Sequence, residues 1–482
     1  MAETSLPQDT LGTLEKDGKI LSSPAEWSWV EDPTNPYNWR KCKKNVQLLS
    51  TALVAFAATI GTSAISPAHQ QLVDEFGVSS TVAFLPMAFY VVALGLGPVV
   101  GGPLSETAGR RPVFIGAAAL GGLLALGAGL TNSFAGLSIL RFLGGFVYGP
   151  TLAIGSGFLA ETYLPAERGV PALLYILSPF LGPGLGPVVG GFIVARVGWR
   201  WTNYFLALLS AVSLALVIIG RETYHPVLIR RRMKELGLKP PSRTPTPEIL
   251  RQFLTVGVLR PLHMMFTEPI VACLCLYVAF VFGVLYEFFG SFFYIFPTVY
   301  NFTLEQTGLV FLAVSLGCVL GAVNVALCIR LFYVPQVRRF PPHEVPPEYR
   351  LLPAMIGSIC LPISMFWFAW TTGSDISPAS PIIAIVLFSF GNIGLFVSAL
   401  QYIGDVYHRT NVASATSANS LARYVLGGVF PLFSLQLYEG LGIGWATSLF
   451  GFISLALLPL PWLLFKYGMA IRNRSQYEVA SY

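Results

Sequence analysis

The chain has 482 residues, of which 54% are hydrophobic and only 11% charged, and its mean hydropathy is +0.64. This composition excludes a soluble domain with a solvated surface. The net charge of +6 is compatible with nucleic-acid binding, but basic residues that flank apolar segments fit an anionic membrane surface better. We therefore predict an all-α integral membrane protein that binds no nucleic acid.

Twelve segments of the sequence are long and apolar enough for membrane-spanning helices, which need about 20 residues each. They start near Val46, Thr81, Pro112, Leu137, Gly169, Trp201, Ile270, Thr307, Leu351, Ile382, Val412 and Trp445. The longest hydrophilic segment between them divides six spans from six. The predicted units are an N-terminal tail (1–45), a first six-helix bundle (46–220), a basic central loop (221–264), a second six-helix bundle (265–467) and a C-terminal tail (468–482). We expect the polar N-terminal tail to be largely disordered.

The distribution of Lys and Arg predicts the orientation of the chain. With both ends in the cytoplasm, 26 of the 30 basic residues fall in cytoplasmic segments and only Arg196 and Arg200 in outer loops. The remaining two, Arg141 and Arg423, lie within spans. Both termini and the central loop are therefore predicted to be cytoplasmic.

Motifs of driven pumps, enzymes and metal sites are absent from the sequence. It contains no GxxxxGK[ST], no HExxH and no GxSxG, so nothing predicts ATP-driven transport by this chain alone, zinc chemistry or a serine nucleophile. The six cysteines lack the spacing of metal ligands, and we interpret them as small apolar residues. We expect no enzyme activity, no cofactor and no metal.

The fifth span, SPFLGPGLGPVVGGFI (178–193), combines an apolar segment with many glycines and prolines. Gly182, Gly186 and Gly190 recur every four residues and form one stripe of a helix, as do Pro183, Pro187 and Gly191. Such a stripe lets another helix backbone approach closely, and the prolines permit bending. Ordinary close packing is the alternative to a special functional role.

Three segments resemble, in order and position, motifs of twelve-span drug:proton antiporters of the major facilitator superfamily. They are the loop GPLSETAGRRP (102–112), the fourth-span segment LSILRFLGGFVYG (137–149) and the fifth-span segment GPVVGG (186–191). DPTNPYNW (32–39), ETYHPVLIRRR (222–232) and RYVLGGVFPLF (423–433) are further similar to the fungal branch that contains polyamine and multidrug exporters. The resemblance covers residues 32–468.

The resemblance implies a major facilitator fold of twelve transmembrane helices in two six-helix bundles, a monomer, and location in the plasma membrane, with the vacuolar membrane as the alternative. It implies a cytoplasmic loop motif of Gly102, Glu106, Gly109, Arg110 and Arg111, and an antiporter motif of Gly182, Gly186, Pro187, Gly190 and Gly191. The chain departs from the pattern at Glu106, where the superfamily usually has Asp, and at Thr107, where it often has Arg. The loop after span eight has Arg338 and Arg339 but no Gly-Arg-Arg, so cytoplasmic gating is expected to rest on the first half.

Charges within spans are costly and are functional candidates by default. Arg141 needs a carboxylate, a substrate anion or water as its partner, and the resemblance implies a role in proton coupling. Glu287, among aromatic residues in VLYEFFGSFFY, is a candidate for proton exchange or cation recognition because burial disfavours its ionised form. The alternative for Glu287 is an exposed position at the outer interface.

Polar residues at mid-membrane depth predict the wall of a substrate cavity. Thr416, Ser420 and Arg423 share one helical face, and Arg423 is a candidate partner of Glu287 in one conformation. Tyr148, Tyr175, Tyr286 and Asn392 are further cavity candidates, although aromatic residues more often face lipid or neighbouring helices and amides more often join helices.

The leading hypothesis is a proton-coupled exporter of small amphipathic compounds, such as drugs, toxins, secondary metabolites or polyamines, that works by alternating access. Its partners are then the substrate, protons and membrane lipids. Proton-coupled uptake, and a sensor that binds ligand without transporting it, are the alternatives.

Overall fold

The computed structural model describes residues 28–164, 167, 169–237, 253–337, 339–340, 345–407 and 409–477. These residues form helices and turns, with no β-strand among them. The predicted tails and central loop lie partly outside the described residues, because positions 1–27, 238–252 and 478–482 are not among them.

Eleven of the described helical stretches are long and apolar enough to cross a membrane. The last, Asn411–Arg472, has 62 residues, or about 90 Å of helix against a hydrocarbon core of about 30 Å. Gly442 interrupts it with φ 73° and ψ 163°. This stretch therefore contains two crossings, which gives the predicted twelve.

The transmembrane helices begin within a few residues of the predicted positions. They are α1 Lys41–Ser63, α2 Leu85–Ala108, α3 Arg110–Leu130, α4 Phe134–Thr162, α5 Gly169–Val197, α6 Arg200–Ile219, α7 Pro269–Tyr300, α8 Leu312–Cys328, α9 Leu352–Thr371, α10 Ala379–Val406, α11 409–441 and α12 443–472, the last continuing through Pro459–Arg472.

Short helices occupy the connections. They are Pro36–Asn38, Ser66–Ala68, His69–Phe76, Ser80–Ala83, His225–Glu235, Phe253–Leu259, Arg260–Thr267, Leu304–Val310, Ile329–Tyr333, Val334–Val337 and Pro347–Leu351. Large apolar side chains such as Leu123, Leu208 and Ile219 are exposed on the outer surface of the bundles, as a lipid-facing surface requires.

The two bundles repeat one packing order with an offset of six helices. α2 packs on α4, α1 on α5 and α3 on α6; correspondingly, α8 packs on α10, α7 on α11 and α9 on α12. Between the bundles, α2 contacts α11, and α5 contacts α8 and the Leu304–Val310 helix. The division into six and six helices thus has a structural counterpart in the packing.

The start of α1 and the end of α12 lie on one face of the molecule, which we call the terminal face; the opposite face is the distal face. Side-chain hydrogen bonds between described residues join the two bundles in the distal half. They are Tyr286 to Thr62 at 3.0 Å, Arg196 to Glu305 at 3.0 Å, and Gln436 to Thr81. The bundles are therefore fastened together at the distal face.

Candidate functional site

The loop motif builds a charge network on the terminal face of the first bundle. Arg110 forms an ion pair with Glu161 at the end of α4 at 2.8 Å and donates to the Ser105 hydroxyl at 2.5 Å. The backbone N–H groups of Arg110 and Arg111 donate to the Glu222 carboxylate at 2.8 and 3.2 Å. A carboxylate at this position satisfies the free N–H groups at the start of α3 and complements the helix dipole.

Glycine is required at one position of this motif and not at another. Gly109 has φ 102°, and a Cβ there would collide with the Glu222 carboxylate, whereas a Cβ at Gly102 would meet nothing within 4 Å. Glu106, the acidic residue that the sequence pointed to, is exposed and forms no ion pair within the described part of the chain. The carboxylates of the network are instead those of Glu161 and Glu222.

The second bundle has a corresponding network on the terminal face, while the rest of the expectation, that cytoplasmic gating rests on the first half, stays a prediction. Arg350, in the short helix just before α9, pairs with Asp405 near the end of α10 at 2.8 Å, as Arg110 pairs with Glu161. Arg472 at the end of α12 pairs with Glu348 at 3.0 Å. The Gly-Arg-Arg pattern did not predict this second network, because its residues do not have that spacing. Arg338 lies outside the described residues.

Residues 28–40 are ordered against the first bundle, which corrects the expected disorder of this part of the tail. Asp32 is buried and pairs with Arg232 of the His225–Glu235 helix at 3.0 Å. The Tyr37 hydroxyl donates to the carbonyl of Ala160 at 2.7 Å, and its ring packs on His225. We call residues 29–39 the terminal strap, because they join the end of α4 to the central loop.

The antiporter motif packs α5 tightly on α1. A Cβ at Gly182, Gly186 or Gly190 would meet the backbone or side chains of residues 59–67 of the first helix and its extension. Pro187 has no N–H, so the carbonyl of Pro183 loses its intrahelical donor, and the Ser63 hydroxyl donates to that carbonyl at 3.1 Å. A neighbouring helix thus satisfies the carbonyl that proline frees.

The second stripe of α5 contacts the opposite bundle. A Cβ at Gly191 would lie 3.1 Å from the carbonyl oxygen of Leu304 and 3.5 Å from the Cα of Gly308. A Cβ at Gly308 would lie 2.7 Å from the carbonyl oxygen of Pro187. The motif therefore lies at two interfaces, one within its own bundle and one between bundles at the distal end.

Arg141 is buried within the first bundle rather than reaching the membrane surface. Its guanidinium donates to the carbonyl of Gly61 at 2.5 Å and lies 4.6 Å from the centre of the Tyr90 ring. Its Nε has no hydrogen-bond partner. It borders a small cavity of about 10 Å³ that Tyr148 and Ser210 also line, which has room for about one water molecule.

Tyr148 and Tyr175 use their hydroxyls inside the first bundle. Tyr148 shares a hydrogen bond with Ser210 at 2.5 Å, and Tyr175 donates to the carbonyl of Thr151 at 3.1 Å. Both side chains are buried. Tyr286, in contrast, links the bundles through its bond to Thr62, so the three predicted tyrosines do not form one wall.

Glu287 lies in the interior of α7 with no accessible surface, which excludes the alternative of an exposed outer position. Neither of its carboxyl oxygens has a hydrogen-bond partner. Tyr438 of the neighbouring α11 has its hydroxyl 3.0 Å from that of Thr447. Arg423 is not paired with Glu287 in this conformation.

Arg423 lies instead among aromatic rings of the second bundle. Its guanidinium carbon is 4.8, 4.5 and 4.6 Å from the ring centres of Phe282, Phe396 and Tyr424. Thr416 and Ser420, on the same face of α11, are half-buried, and the Thr416 hydroxyl donates to the carbonyl of Val412 at 2.9 Å. Asn392 of α10 is buried, and its Nδ2 has no partner.

Residues that the sequence analysis missed are mainly the carboxylates of the terminal face. Glu161 and Glu222 each precede a threonine at the end of a span, as Glu161-Thr162 and Glu222-Thr223. This repeated Glu-Thr pair at the ends of α4 and α6 was a usable signal. Asp405 and Glu348 offer no such repeat.

The Major Facilitator Superfamily model matches residues 51–431. Polyamine transporter 4 of Saccharomyces cerevisiae is 34% identical over 95% of this chain and 73% of its own length. MFS-type transporter traF of Penicillium crustosum is 36% identical over 95% of this chain and 94% of its own. The multidrug transporter mdrA of Aspergillus fumigatus is 36% identical over 99% of this chain and 79% of its own.

A solved structure of the proton:xylose symporter XylE superposes with a TM-score of 0.61 at 17% identity and covers 89% of this chain and 96% of its own. That likeness shows the fold. The family match, together with relatives that are more than 30% identical over nearly the whole chain, shows the family. The chain belongs to the Major Facilitator Superfamily and is a membrane transporter, not an enzyme.

Proposed function

We propose that this transporter is a proton-coupled exporter of small amphipathic compounds. The names of its relatives include efflux pumps, a multidrug transporter and a polyamine transporter, which supports export as the direction. The observation that carries the proton coupling is Glu287, a fully buried acid whose two carboxyl oxygens have no hydrogen-bond partner.

The surroundings of Glu287 support a proton-binding role. A carboxylate without a counter-ion or hydrogen bonds is costly at membrane depth, whereas the neutral acid is tolerated. In this conformation Glu287 therefore carries a proton. Its ionisation requires water or a cation to reach it, and hence a rearrangement of the packed helices around it.

The position of Glu287 connects this rearrangement to the contact between bundles. The preceding residue, Tyr286, donates its hydroxyl to Thr62 of the opposite bundle. Movement of α7 that admits water to Glu287 would also disturb this contact. Loss of the proton and separation of the distal ends are thereby tied together, which alternating access with proton antiport requires.

The two faces of the molecule have distinct roles in this cycle. The terminal face, which collects most of the basic residues, is the cytoplasmic one, and the plasma membrane is the proposed location, with the vacuolar membrane as the alternative. The state described is closed towards the outside by the distal contacts. The Arg110–Glu161 and Arg350–Asp405 networks are the proposed contacts that hold each bundle in shape at the cytoplasmic end.

The remaining candidates support the cycle from inside the first bundle. Arg141 holds α4 to α1 through the carbonyl of Gly61, and the glycine stripe of α5 brings α1 and the opposite bundle close. We assign Arg141 to coupling through this contact and assign Tyr148 and Tyr175 to support of the cavity wall. The protein acts as a monomer and needs only substrate, protons and lipids, without a cofactor.

The test is efflux of cationic, neutral and anionic compounds from cells that express the chain, with and without a protonophore. Export that stops with the protonophore supports coupled antiport. Accumulation driven inward by the proton gradient would instead identify an uptake carrier. Unchanged flux of every compound, together with altered signalling on deletion, would identify a sensor.

A further inference from the structure

Arg423 carries a buried positive charge that no carboxylate balances. Arg423 is only 8% exposed. None of the ion pairs in the described part of the chain includes it. Its Nε has no hydrogen-bond partner. The arginines of the terminal face differ, because Arg110, Arg350 and Arg472 each contact a carboxylate.

The three rings around Arg423 do not replace a counter-ion. Phe282, Phe396 and Tyr424 stabilise the cation by its attraction to their ring faces, which is weaker than an ion pair and leaves the N–H donors free. A guanidinium has five such donors in a planar fork that matches a carboxylate. The rings thus hold the group in place while its hydrogen-bonding capacity stays unused.

The Arg423 cluster lies where the two bundles meet. The Phe396 ring is 4.8 Å from that of Phe180 in α5 of the first bundle. On the other side, Tyr424 packs against Gly95 of α2: a Cβ added at Gly95 would lie 2.5 Å from the Cβ of Tyr424. This is the interface that alternating access would open and close.

Asn392 lies one turn before Phe396 on α10. Its side chain is buried, and its Nδ2 has no hydrogen-bond partner. Asn419, one turn before Arg423 on α11, instead contacts Cys275 of α7. Asn392 therefore adds one unused donor on α10, the helix that also carries Phe396, to the unbalanced charge of Arg423.

We infer that Arg423 recognises an anionic group, and that the exported compounds include aromatic or otherwise flat carboxylates. This inference rests on the proposed export function and names its substrate class. The guanidinium binds the carboxylate through paired N–H donors, and the flanking rings pack on the apolar body of the compound. A polycation at this position would meet a like charge without a carboxylate to offset it.

The test is equilibrium binding to the purified full-length protein in detergent at about pH 7. Three ligands share one ring system and differ in charge: naphthalene-1-acetate, naphthalene-1-acetamide and 1-(aminomethyl)naphthalene. The acetate is expected to bind about tenfold more tightly than the amide, because one hydrogen bond to a charged group changes affinity by about that factor. The amine is expected to bind most weakly.

Variants of one position separate recognition from folding. Arg423→Gln should lower the affinity for the acetate to that for the amide and leave the affinity for the amide unchanged, which also shows that the variant is folded. Arg423→Lys should give an intermediate affinity for the acetate, because it keeps the charge and loses the fork. Arg330→Gln, which removes an exposed charge elsewhere, should have no effect.

Tighter binding of the amine, failure of the acetate to bind, or an Arg423→Gln variant with unchanged affinity for the acetate would each overturn the inference. The assay contains no proton gradient and measures no flux. Its failure therefore leaves proton-coupled export intact, and the failure of export leaves this binding result intact.

Discussion

The hydroxyl of Ser63 in α1 donates a hydrogen bond of 3.1 Å to the carbonyl of Pro183 in α5. This carbonyl is free because Pro187, four residues later, has no N–H. Gly186 lies between the two prolines and provides the space for the contact, since a Cβ there would collide with the Ser63 hydroxyl. The glycines and prolines of the fifth span therefore act together: the prolines free a carbonyl and the glycines let its new partner approach.

A methyl group at Gly186 should destabilise the protein. Gly186→Ala places a Cβ against Ser63 and 3.0 Å from the backbone nitrogen of Ala64, and overpacking of this kind costs about 1–3 kcal/mol. The matched control is Gly116→Ala in α3, where a Cβ meets nothing within 4 Å. Thermal unfolding in detergent should give a lower Tm for Gly186→Ala only; equal Tm values would contradict the packing described.

The loop motif offers a second matched pair. Gly109→Ala should disrupt the terminal face of the first bundle, because residue 109 has φ 102° and its Cβ would displace the Glu222 carboxylate from the start of α3. Gly102→Ala, seven residues earlier, meets no atom within 4 Å. Expression and transport should fall severalfold in the first variant and stay near the original level in the second. Similar losses in both would show that the carboxylate cap is not the cause.

The terminal strap should loosen in acid. Burial lowers the pKa of His225 below the ordinary histidine value of 6.5, so the folded strap favours the neutral ring. As pH falls, the unfolded segment takes up the proton before the folded strap does. The stability that neutral His225 gives the strap is therefore complete above about pH 6.5 and is lost progressively below it. Hydrogen exchange of residues 29–39 should accelerate between pH 7.5 and 5.5, after correction for the intrinsic rate.

His225→Gln is the control for this prediction. Glutamine keeps an N–H donor for the carbonyl of Glu161, which the ring contacts at 2.8 Å, and it has no charge to gain. The corrected exchange rate of the variant should not depend on pH in this range. The same acceleration in the variant would assign the effect to another group.

Closure of the distal face can be tested by cross-linking. Arg196 of α5 and Glu305 of the opposite bundle are joined by an ion pair, so cysteines at these two positions should react with a short bifunctional thiol reagent. The exposed Cys42 must first be replaced by serine. Cross-linking should stop transport, and reduction of a cleavable linker should restore it. Full transport by the cross-linked protein would contradict separation of the distal ends during the cycle.

Helix number, the two-bundle division and the close packing of the fifth span followed from the sequence, because hydropathy and residue spacing act within one helix. The partners of the charges did not follow. Arg110 pairs with Glu161, 51 residues away, rather than with the nearby Glu106. Arg423 and Glu287 are both buried ionisable residues in neighbouring helices, yet they do not pair. Such pairings depend on the rotation of helices about their axes, which spacing within one helix does not define.

Glu287 is proposed to exchange the proton that drives export. The most direct measurement is proton movement and substrate flux in proteoliposomes containing the purified protein, with an imposed pH gradient, for the original chain and for Glu287→Gln, which is nearly the same size and stays neutral. The gradient should drive substrate transport in the original chain. Glu287→Gln should abolish this response while it still binds substrate and exchanges it across the membrane. Gradient-driven transport by Glu287→Gln at the original rate would contradict this role of Glu287.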